Sequence, residues 1–321
     1  MATLIGMGTE AWPLTGSERI SKSSLKALRQ RKNGPGLLHL AMHLLALGLT
    51  GLLVYLSLGT WAVVLAWLLH GTVIVLLFAP LHECSHFTAF RPRWLNYAVG
   101  VFAAVVTIRP FFYFKWRHAA HHTYTQHAEN DPDRIPFPSS WKEYLLTILG
   151  ATYWPKTIGT YWRGITGRFN AVELSFIPVT EIRRVCWEIR LTALVYVLIA
   201  AASIALQSWA ALTYWLIPRV IGEPVLRAIR MAEHTGAEES PNLLRNTRTT
   251  QANPIFRALY WNMPFHAEHH LATSVPFHAL KRMHAELRRD LGCIGSSYWA
   301  VHKQIVTQVL LNRRANTSPR V

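Results

Sequence analysis

Charge is scarce in this sequence of 321 residues, because Asp, Glu, Lys and Arg together make up 16% of it against 51% for apolar types. An average soluble domain carries about 25% charged residues, so this composition favours a membrane protein. No Asp, Glu, Lys or Arg occurs between Asn33 and His82. At about 20 residues per transmembrane helix, that stretch is long enough for two spans.

Cysteine is also rare, since only Cys84, Cys186 and Cys293 occur and they form no Cys-x-x-Cys pair. This spacing excludes a disulfide framework. The first 35 residues are polar and basic and lack the apolar segment of a secretory signal, so we expect no cleaved leader.

Acidic residues are outnumbered, with 17 Asp and Glu against 33 Lys and Arg. In a soluble protein this excess would favour nucleic-acid binding, but here it is concentrated at 18–32 and after residue 280, beside apolar segments. We therefore expect no nucleic-acid partner and interpret the excess as contact with anionic headgroups. The positive-inside rule then places both termini in the cytoplasm.

The apolar segments predict about four transmembrane helices in two hairpins. Residues 37–57 and 60–81 form the first, with a turn at 57–60. Residues 185–234 predict the second, with a turn near Gln207 and Ser208; one long tilted helix is the alternative. Residues 94–108 are too few for a span, and we interpret them as re-entrant or interfacial, which keeps the histidines on either side at one membrane face.

Histidine is abundant, with 16 residues, and eight of them fall into three tight groups. Spacings of three and four place imidazoles on one face of a helix, where they can converge on a metal ion. Eight clustered imidazoles suggest two ions, and chemistry beside lipid on substrates with few functional groups favours iron with dioxygen. The groups are HECSH with His82 and His86, HAAHH with His118, His121 and His122, and HAEHH with His266, His269 and His270.

The order of these motifs resembles the membrane fatty acid desaturase superfamily over about residues 37–290. A His-x-x-x-His box ends a hairpin, a His-x-x-His-His box follows, and a final His-x-x-His-His box after the second hairpin precedes Leu-x-x-x-Val-Pro. The resemblance implies two non-haem Fe ions on the cytoplasmic face, dioxygen as co-substrate, and a separate electron donor of the ferredoxin, rubredoxin or b-type cytochrome kind.

The expected fold is an all-α integral membrane protein whose cytoplasmic helical cap carries the histidine boxes. We expect a single domain over 1–321, with a basic cytoplasmic N-terminal segment at 1–35, a core at 37–290 and a tail at 291–321. His39, His43 and His70 fall within the predicted spans, where a functional role and a hydrogen bond to a neighbouring helix are both open.

The resemblance also implies the metal ligands. The eight box histidines carry over, and His234 in MAEHTG stands where the family has a further ligand. Animal acyl-CoA desaturases have an Asn four residues before that histidine, whereas this chain has Arg230. Carboxylates beside the boxes are candidates for orienting the ligands through hydrogen bonds. These are Glu83, Asp131, Asp133, Glu233 and Glu268.

An unactivated methylene has no acidic proton, and no nucleophilic Ser or Cys arrangement is evident, so no catalytic residue is expected beyond the metal ligands. The first hypothesis is a desaturase that forms a double bond in the acyl chain of a lipid or acyl thioester. A membrane hydroxylase or ketolase on the same di-iron scaffold is the alternative. A metal transporter is a more distant one, because its ligands should lie near the bilayer midplane.

Overall fold

The computed structural model describes residues 12–317, which are mostly helical. The predictions for residues 1–11 and 318–321 lie outside the described residues. The helices are α1 (Lys22–Leu28), α2 (Asn33–Ser57), α3 (Ala62–Leu76), α4 (Phe78–Ser85), α5 (Arg93–Thr107), α6 (Phe111–Tyr124), α7 (Trp141–Ile148), α8 (Tyr153–Thr166), α9 (Ala171–Phe176), α10 (Ile182–Ala205), α11 (Ile217–His234), α12 (Pro254–Leu259), α13 (His266–Leu271), α14 (Phe277–Leu287) and α15 (Tyr298–Thr317).

The first hairpin follows the prediction closely. Helix α2 ends at Ser57, and α3 begins at Ala62, after the expected turn. Helices α3 and α4 together form an apolar candidate span, Ala62–Ser85, of 24 residues. Leu45 and Leu56 on α2 are 63% and 68% exposed, as expected for side chains that face lipid rather than water.

The second apolar region also contains two helices, so the alternative of one long tilted helix is wrong. Helix α10 ends at Ala205, and Gln207 has a φ of 49°, a left-handed conformation that interrupts the helix. A five-residue π-helix, Leu212–Leu216, then leads into α11. The predicted turn near Gln207 and Ser208 is therefore correct.

Helix α11 is more polar than a transmembrane helix is expected to be. Among the described residues, three helices are long and apolar enough to cross a membrane, and α11 is not one of them. It carries Arg219, Glu223, Arg230 and Glu233, all of which are buried. Charged side chains beside apolar spans are tolerated when they face the protein interior and pair with one another.

Helices α5 and α6 form a fourth candidate span only if they are taken together. They are bent by 97° at a short break, which is the geometry of a broken span or a re-entrant segment. Ile108 ends α5 with a φ of 56°, and Pro110 precedes α6. The apolar segment 94–108 therefore does not form a candidate span by itself, and its re-entrant or interfacial placement stays a prediction.

Helix α11 packs directly against α3 through two glycines. A Cβ atom on Gly71 would meet the backbone of Pro218 and Gly222, and one on Gly222 would meet the backbone of Gly71. Histidines also link α2 and α3 by hydrogen bonds. His43 Nε2 lies 2.8 Å from the Val73 carbonyl oxygen. His70 Nδ1 lies 2.8 Å from the Thr50 hydroxyl. These histidines are hydrogen-bonded to neighbouring helices.

We refer to the helices α7–α9 and α12–α15 together as the cap. A short parallel pair of strands, β1 (Thr249–Thr250) and β2 (Ile294–Gly295), joins the parts of the cap. Helices α7 and α8 lie on the cap surface and expose large apolar side chains near polar ones. Leu149, Ile158 and Trp162 are 59%, 67% and 67% exposed.

Candidate metal centre

The histidines predicted as ligands converge in two groups at the junction of the spans and the cap. Within each group the candidate ligand atoms lie within 4.8 Å of one another. All of these side chains are buried except His86 and His122, which are half-buried. The five-histidine cluster contains His82, His86, His118, His122 and His269, and the four-histidine cluster contains His121, His234, His266 and His270.

Helix α6 supplies ligand candidates to both clusters. His118 and His122 are four residues apart, so they lie on one face and enter the five-histidine cluster. His121 is rotated by about 100° from His122 around the helix axis and enters the four-histidine cluster. Two adjacent histidines therefore serve two different sites because of helical geometry alone.

Helix α13 repeats this division with the clusters exchanged. His266 and His270 share a face and enter the four-histidine cluster, whereas His269 enters the five-histidine cluster. The helix ends at Leu271, and Pro276 precedes α14. The box helix therefore does not continue into α14, as expected with a proline between them.

The other three histidines come from helix ends. His82 lies in α4, and His86 is the residue that caps this helix. His234 is the last residue of α11, and the chain leaves helical geometry at Thr235. The ring of His234 lies with box histidines in the four-histidine cluster, and its role as a ligand stays a prediction.

The ring nitrogens within each cluster point at one another. The Nε2 atoms of His118 and His122 are 2.9 Å apart, and those of His122 and His269 are 3.1 Å apart. In the other cluster, His266 Nε2 lies 3.2 Å from the Nε2 atoms of both His234 and His270.

Several ring nitrogens are buried and have no hydrogen-bond partner among residues 12–317. They include Nε2 of His82, His86 and His121. Buried polar atoms without partners are costly, and lone pairs that face a common point are satisfied together by a cation. The donor set of each cluster therefore fits a transition-metal ion that prefers imidazole.

The protonation state also suits metal binding. Burial lowers the pKa of His266, His269 and His270 well below the ordinary value, and neighbouring imidazoles lower it further. These rings are therefore neutral near pH 7. A neutral imidazole keeps the lone pair that a metal ion requires.

Asp131 makes the best hydrogen bond between a predicted carboxylate and a box histidine. His121 Nδ1 donates to Asp131 Oδ1 over 2.8 Å, and the other carboxylate oxygen accepts a hydrogen bond from the backbone N–H of Gln126. This arrangement leaves His121 Nε2 to face the cluster and increases the basicity of the ring.

Glu83 and Asp133 lie near the five-histidine cluster but beyond hydrogen-bond distance of its rings. Glu83 Oε1 is 3.7 Å from His82 Nδ1 and 3.9 Å from His269 Nδ1. Asp133 Oδ2 is 3.9 Å from the Nδ1 atom of His118. Burial alone would raise the pKa of Asp133, but the guanidinium groups of Arg117 and Arg230 hold it well below its usual range.

Arg230 and Glu233 lie beside the four-histidine cluster. Glu233 Oε2 is 3.5 Å from His266 Nε2, and Arg230 Nε is 3.2 Å from the same carboxylate oxygen. Tyr260 donates a hydrogen bond to the other oxygen over 3.2 Å. In the sequence, Arg230 stands out only as a departure from the Asn of animal acyl-CoA desaturases. In the structure, its guanidinium group lies next to the Glu233 carboxylate, which faces the predicted ligand His266.

Glu268 has different partners from those the sequence suggested. Its carboxylate accepts hydrogen bonds from His284 on α14 and from the Thr249 hydroxyl, although it is adjacent in sequence to His269. Thr125, which the sequence analysis missed, does contact a box histidine. Its hydroxyl donates to the His121 carbonyl and lies 3.1 Å from His270 Nδ1, from which it accepts.

The chain also resembles known proteins over most of its length. Residues 58–302 match the family described as fatty acid desaturase. The chain is 23% identical over 253 residues to an sn-1 oleoyl-lipid 12-desaturase of a Picosynechococcus species, covering 74% of this chain and 72% of that protein.

Two further relatives carry similar names. An sn-1 oleoyl-lipid 12-desaturase of Arthrospira platensis is 22% identical over 273 residues, covering 77% of this chain and 76% of the relative. A bifunctional fatty acid conjugase/Delta(12)-oleate desaturase of Punica granatum is 34% identical over 70 residues, covering 22% of this chain and 18% of the relative.

The family match begins after α2, covers α3 to α14, and includes all nine clustered histidines. Several relatives that align over most of their length are desaturases of acyl lipids. This chain therefore belongs to the fatty acid desaturase family, and it is a membrane-associated oxidoreductase that introduces a double bond into a fatty acyl chain.

Proposed function

We propose that the protein holds two non-haem iron ions, one in each cluster, and uses dioxygen and external electrons to desaturate the acyl chain of a membrane lipid. The proposal depends above all on one observation, the division of the predicted ligands into two converging groups with inward-facing nitrogens. The proposed ligands are His82, His86, His118, His122 and His269 for one ion and His121, His234, His266 and His270 for the other.

The protein residues around the clusters position the ligands and exclude water. When bound, an iron pair supplies the oxygen chemistry that removes hydrogen from an unactivated methylene group. Asp131 orients His121, and Thr125 orients His270, so both rings present Nε2 inwards. Phe114 stacks on His118 with ring centroids 5.0 Å apart and covers this side of the five-histidine cluster with an apolar ring.

Names of the relatives support a lipid-linked acyl chain as the substrate rather than an acyl thioester. Those that align over most of their length are named for oleoyl lipid. Desaturation is preferred over hydroxylation because the same relatives are desaturases. The metal-transporter alternative is disfavoured because the clusters lie at helix ends, away from the middle of the candidate spans.

The electrons come from a separate partner protein in this proposal, of the ferredoxin, rubredoxin or b-type cytochrome kind. Two basic segments, 18–32 and 281–289, lie side by side and are proposed here as the donor surface, with contact to anionic headgroups as the alternative. Ser24 on α1 hydrogen-bonds to Glu286 on α14, and Arg29 donates to the Ser274 hydroxyl over 2.7 Å. Together they offer one basic surface that suits an acidic donor.

The proposed topology places this basic surface, both clusters and both termini in the cytoplasm. Tags near the termini and in residues 128–141 should then be accessible only from the cytoplasmic side. Labelling of 128–141 from the opposite side would overturn the shared-face arrangement.

Metal analysis with a matched histidine pair tests the function. Protein purified in mild detergent after iron-replete expression should contain about two iron ions per chain, and host lipids should gain a double bond. His269→Ala should lower iron content and abolish the product, because His269 belongs to the five-histidine cluster.

His278→Ala is the control, because His278 lies on α14 outside both clusters. It should retain iron and product at matched expression. Full iron and activity in His269→Ala, or one tightly bound zinc with no iron in the wild type, would refute the proposal.

A further inference from the structure

A cavity of about 580 Å³ lies beside the metal centre, between the bend that joins α5 to α6, helices α7–α9 and helix α11. Seven of its lining side chains are basic and three are acidic. Nothing in the metal chemistry described above uses these basic groups.

Four of the basic side chains have their own carboxylate partner. Arg163 pairs with Glu173, Arg134 with Glu239, Arg117 with Asp133, and Arg230 with Glu233. These pairs are balanced in charge, so they give no reason to expect a ligand.

The remaining guanidinium groups are not balanced. Glu223 is fully buried and is the carboxylate partner of three arginines, at 3.2 Å from Arg109, 2.7 Å from Arg219 and 2.8 Å from Arg227. This group therefore carries two more positive than negative charges. Buried charge without a counter-charge is strongly unfavourable.

Aromatic rings offset only part of this charge. The guanidinium carbons of Arg109 and Arg227 lie 4.5 Å and 4.7 Å from the centre of the Tyr153 ring. A cation–π contact is worth about 0.5–2 kcal/mol, which is less than an ionic partner in a buried site provides. Arg109 and Arg227 both line the cavity. The Nε atom of Arg109 is buried without a hydrogen-bond partner among the described residues, whereas the Nε atom of Arg227 makes the ion pair with Glu223.

Lys156 adds a further positive charge at the same cavity. It is exposed on α8, and the described residues include no ion pair for it. Glu143, the acidic lining residue outside the pairs above, accepts hydrogen bonds from Ser139.

We propose that this cavity binds the phosphate-class oxyanion of an anionic headgroup on the acyl lipid that the enzyme oxidises. The inference rests on the proposed function and adds to it the headgroup charge of the substrate. The oxyanion accepts hydrogen bonds from Arg109 and Arg227 and balances the surplus charge around Glu223.

Two features favour a lipid headgroup over a soluble anion. The cap surface formed by α7 and α8 exposes Leu149, Ile158 and Trp162, which suits the interface between headgroups and acyl chains. The cavity is also close to the clusters, because Arg227 precedes His234 by seven residues, about 10 Å along α11. A headgroup held there keeps its acyl chain near the metal centre.

Native mass spectrometry of the full chain in neutral detergent tests this site. The probes are dioleoyl-phosphatidylglycerol, which is anionic, and dioleoyl-phosphatidylcholine, which carries the same acyl chains and no net charge. The wild type should bind the anionic lipid at least about fivefold more tightly, the ratio expected for about 1 kcal/mol per basic side chain near an anionic lipid.

Two exposed lysines form a matched pair of variants. Lys156→Gln should weaken binding of the anionic lipid by about fivefold and leave the zwitterionic lipid unchanged. Lys142 is equally exposed on α7 but does not line the cavity, so Lys142→Gln should retain the preference. Arg227→Gln should remove most of the preference if it folds, and the lysine pair decides the question if it does not.

Equal binding of both lipids, or equal losses in Lys156→Gln and Lys142→Gln, would overturn the inference. Displacement of the anionic lipid by inorganic phosphate supports an oxyanion site, whereas binding of phosphate without any lipid preference would overturn the lipid assignment. The measurement needs neither metal nor turnover. A missing headgroup preference therefore leaves the desaturase proposal intact. A missing double bond in product analysis refutes that proposal, while the binding measurement still reports whether the cavity holds an anionic lipid.

Discussion

The two histidine clusters are held in place in different ways. In the four-histidine cluster, three rings have a protein partner at the outer nitrogen. His121 donates to Asp131, His270 to the Thr125 hydroxyl, and His234 to the Asn246 carbonyl over 3.4 Å. In the five-histidine cluster, four rings have a buried Nδ1 atom that finds no hydrogen-bond partner in the described part of the chain. These rings belong to His82, His118, His122 and His269.

The two clusters therefore position their ligand rings by different means. The four-histidine cluster has fewer rings but orients them through hydrogen bonds, which fix tautomer and direction before a metal arrives. The five-histidine cluster relies on the number of rings and on tight packing in an apolar setting. We expect its geometry to depend more strongly on the metal itself.

Removal of a ligand should have the largest effect and should be equally severe in both clusters. His118→Ala and His270→Ala each remove one imidazole from a buried set. We expect each variant to lose product by more than about a hundredfold, beyond the loss typical of a ligand's hydrogen-bond partner. Lipid analysis of expressing cells and iron analysis of purified protein check this, and an active variant would show that its cluster is dispensable.

Changing the carboxylates should separate the clusters. Asp131→Asn keeps the shape but weakens a charge-assisted hydrogen bond to His121, so activity or iron affinity should fall by about 10- to 100-fold. Glu83→Gln should cost less than about tenfold, because Glu83 is 3.7 Å or more from the rings. A larger loss in Glu83→Gln would reverse the comparison and make its charge more important than the hydrogen bond of Asp131.

The Thr125 hydroxyl allows a smaller test of ring orientation. Thr125→Val preserves the side-chain shape and removes the hydrogen bond with His270. A neutral hydrogen bond contributes about 1 kcal/mol, so iron affinity should fall by about fivefold. Thr125→Ser restores the hydroxyl and should recover most of the affinity. Failure of the serine variant to recover affinity would mean that packing, and not the hydrogen bond, positions the ring.

The smallest effect should come from a hydroxyl behind the five-histidine cluster. Thr88 donates to Glu83 Oε2 over 2.8 Å. Among the described residues it makes no hydrogen bond to a histidine ring. Thr88→Val should lower thermal stability slightly, by about 1 kcal/mol, and change iron affinity by less than about twofold. Thermal unfolding and iron titration of the same sample check both values. A large loss of iron would show that Glu83 requires this contact to act on the rings.

The sequence predicted the apolar helices from their uncharged runs and the box histidines that converge from their local spacing, whereas His234 was implied only by the resemblance. Spacings of three and four put His118 and His122 on one face whatever the surrounding fold. The same rule does not report partner helices, so the division into five and four histidines could not be read from the boxes.

Other features depended on side-chain direction and on distant contacts. Glu268 and Asp131 looked equally plausible as partners of box histidines, yet Asp131 hydrogen-bonds to His121 whereas Glu268 hydrogen-bonds to His284. Helix α11 was expected to span the membrane like α10, but its buried Arg219 and Glu223 make it too polar by composition. The partner of Glu268 is not encoded in local sequence, whereas the charges of α11 are visible in it.

The way α6 and α13 each divide their histidines between the two clusters has a consequence for biosynthesis. The five-histidine cluster needs His269, and the four-histidine cluster needs His266 and His270, so neither is complete until α13 has been made. A ribosome that has finished only α6 has produced five of the nine rings, and they belong to both sites. Insertion of the metals must therefore follow translation of nearly the whole chain, and a nascent or truncated protein that ends before α13 has no complete binding site to fill.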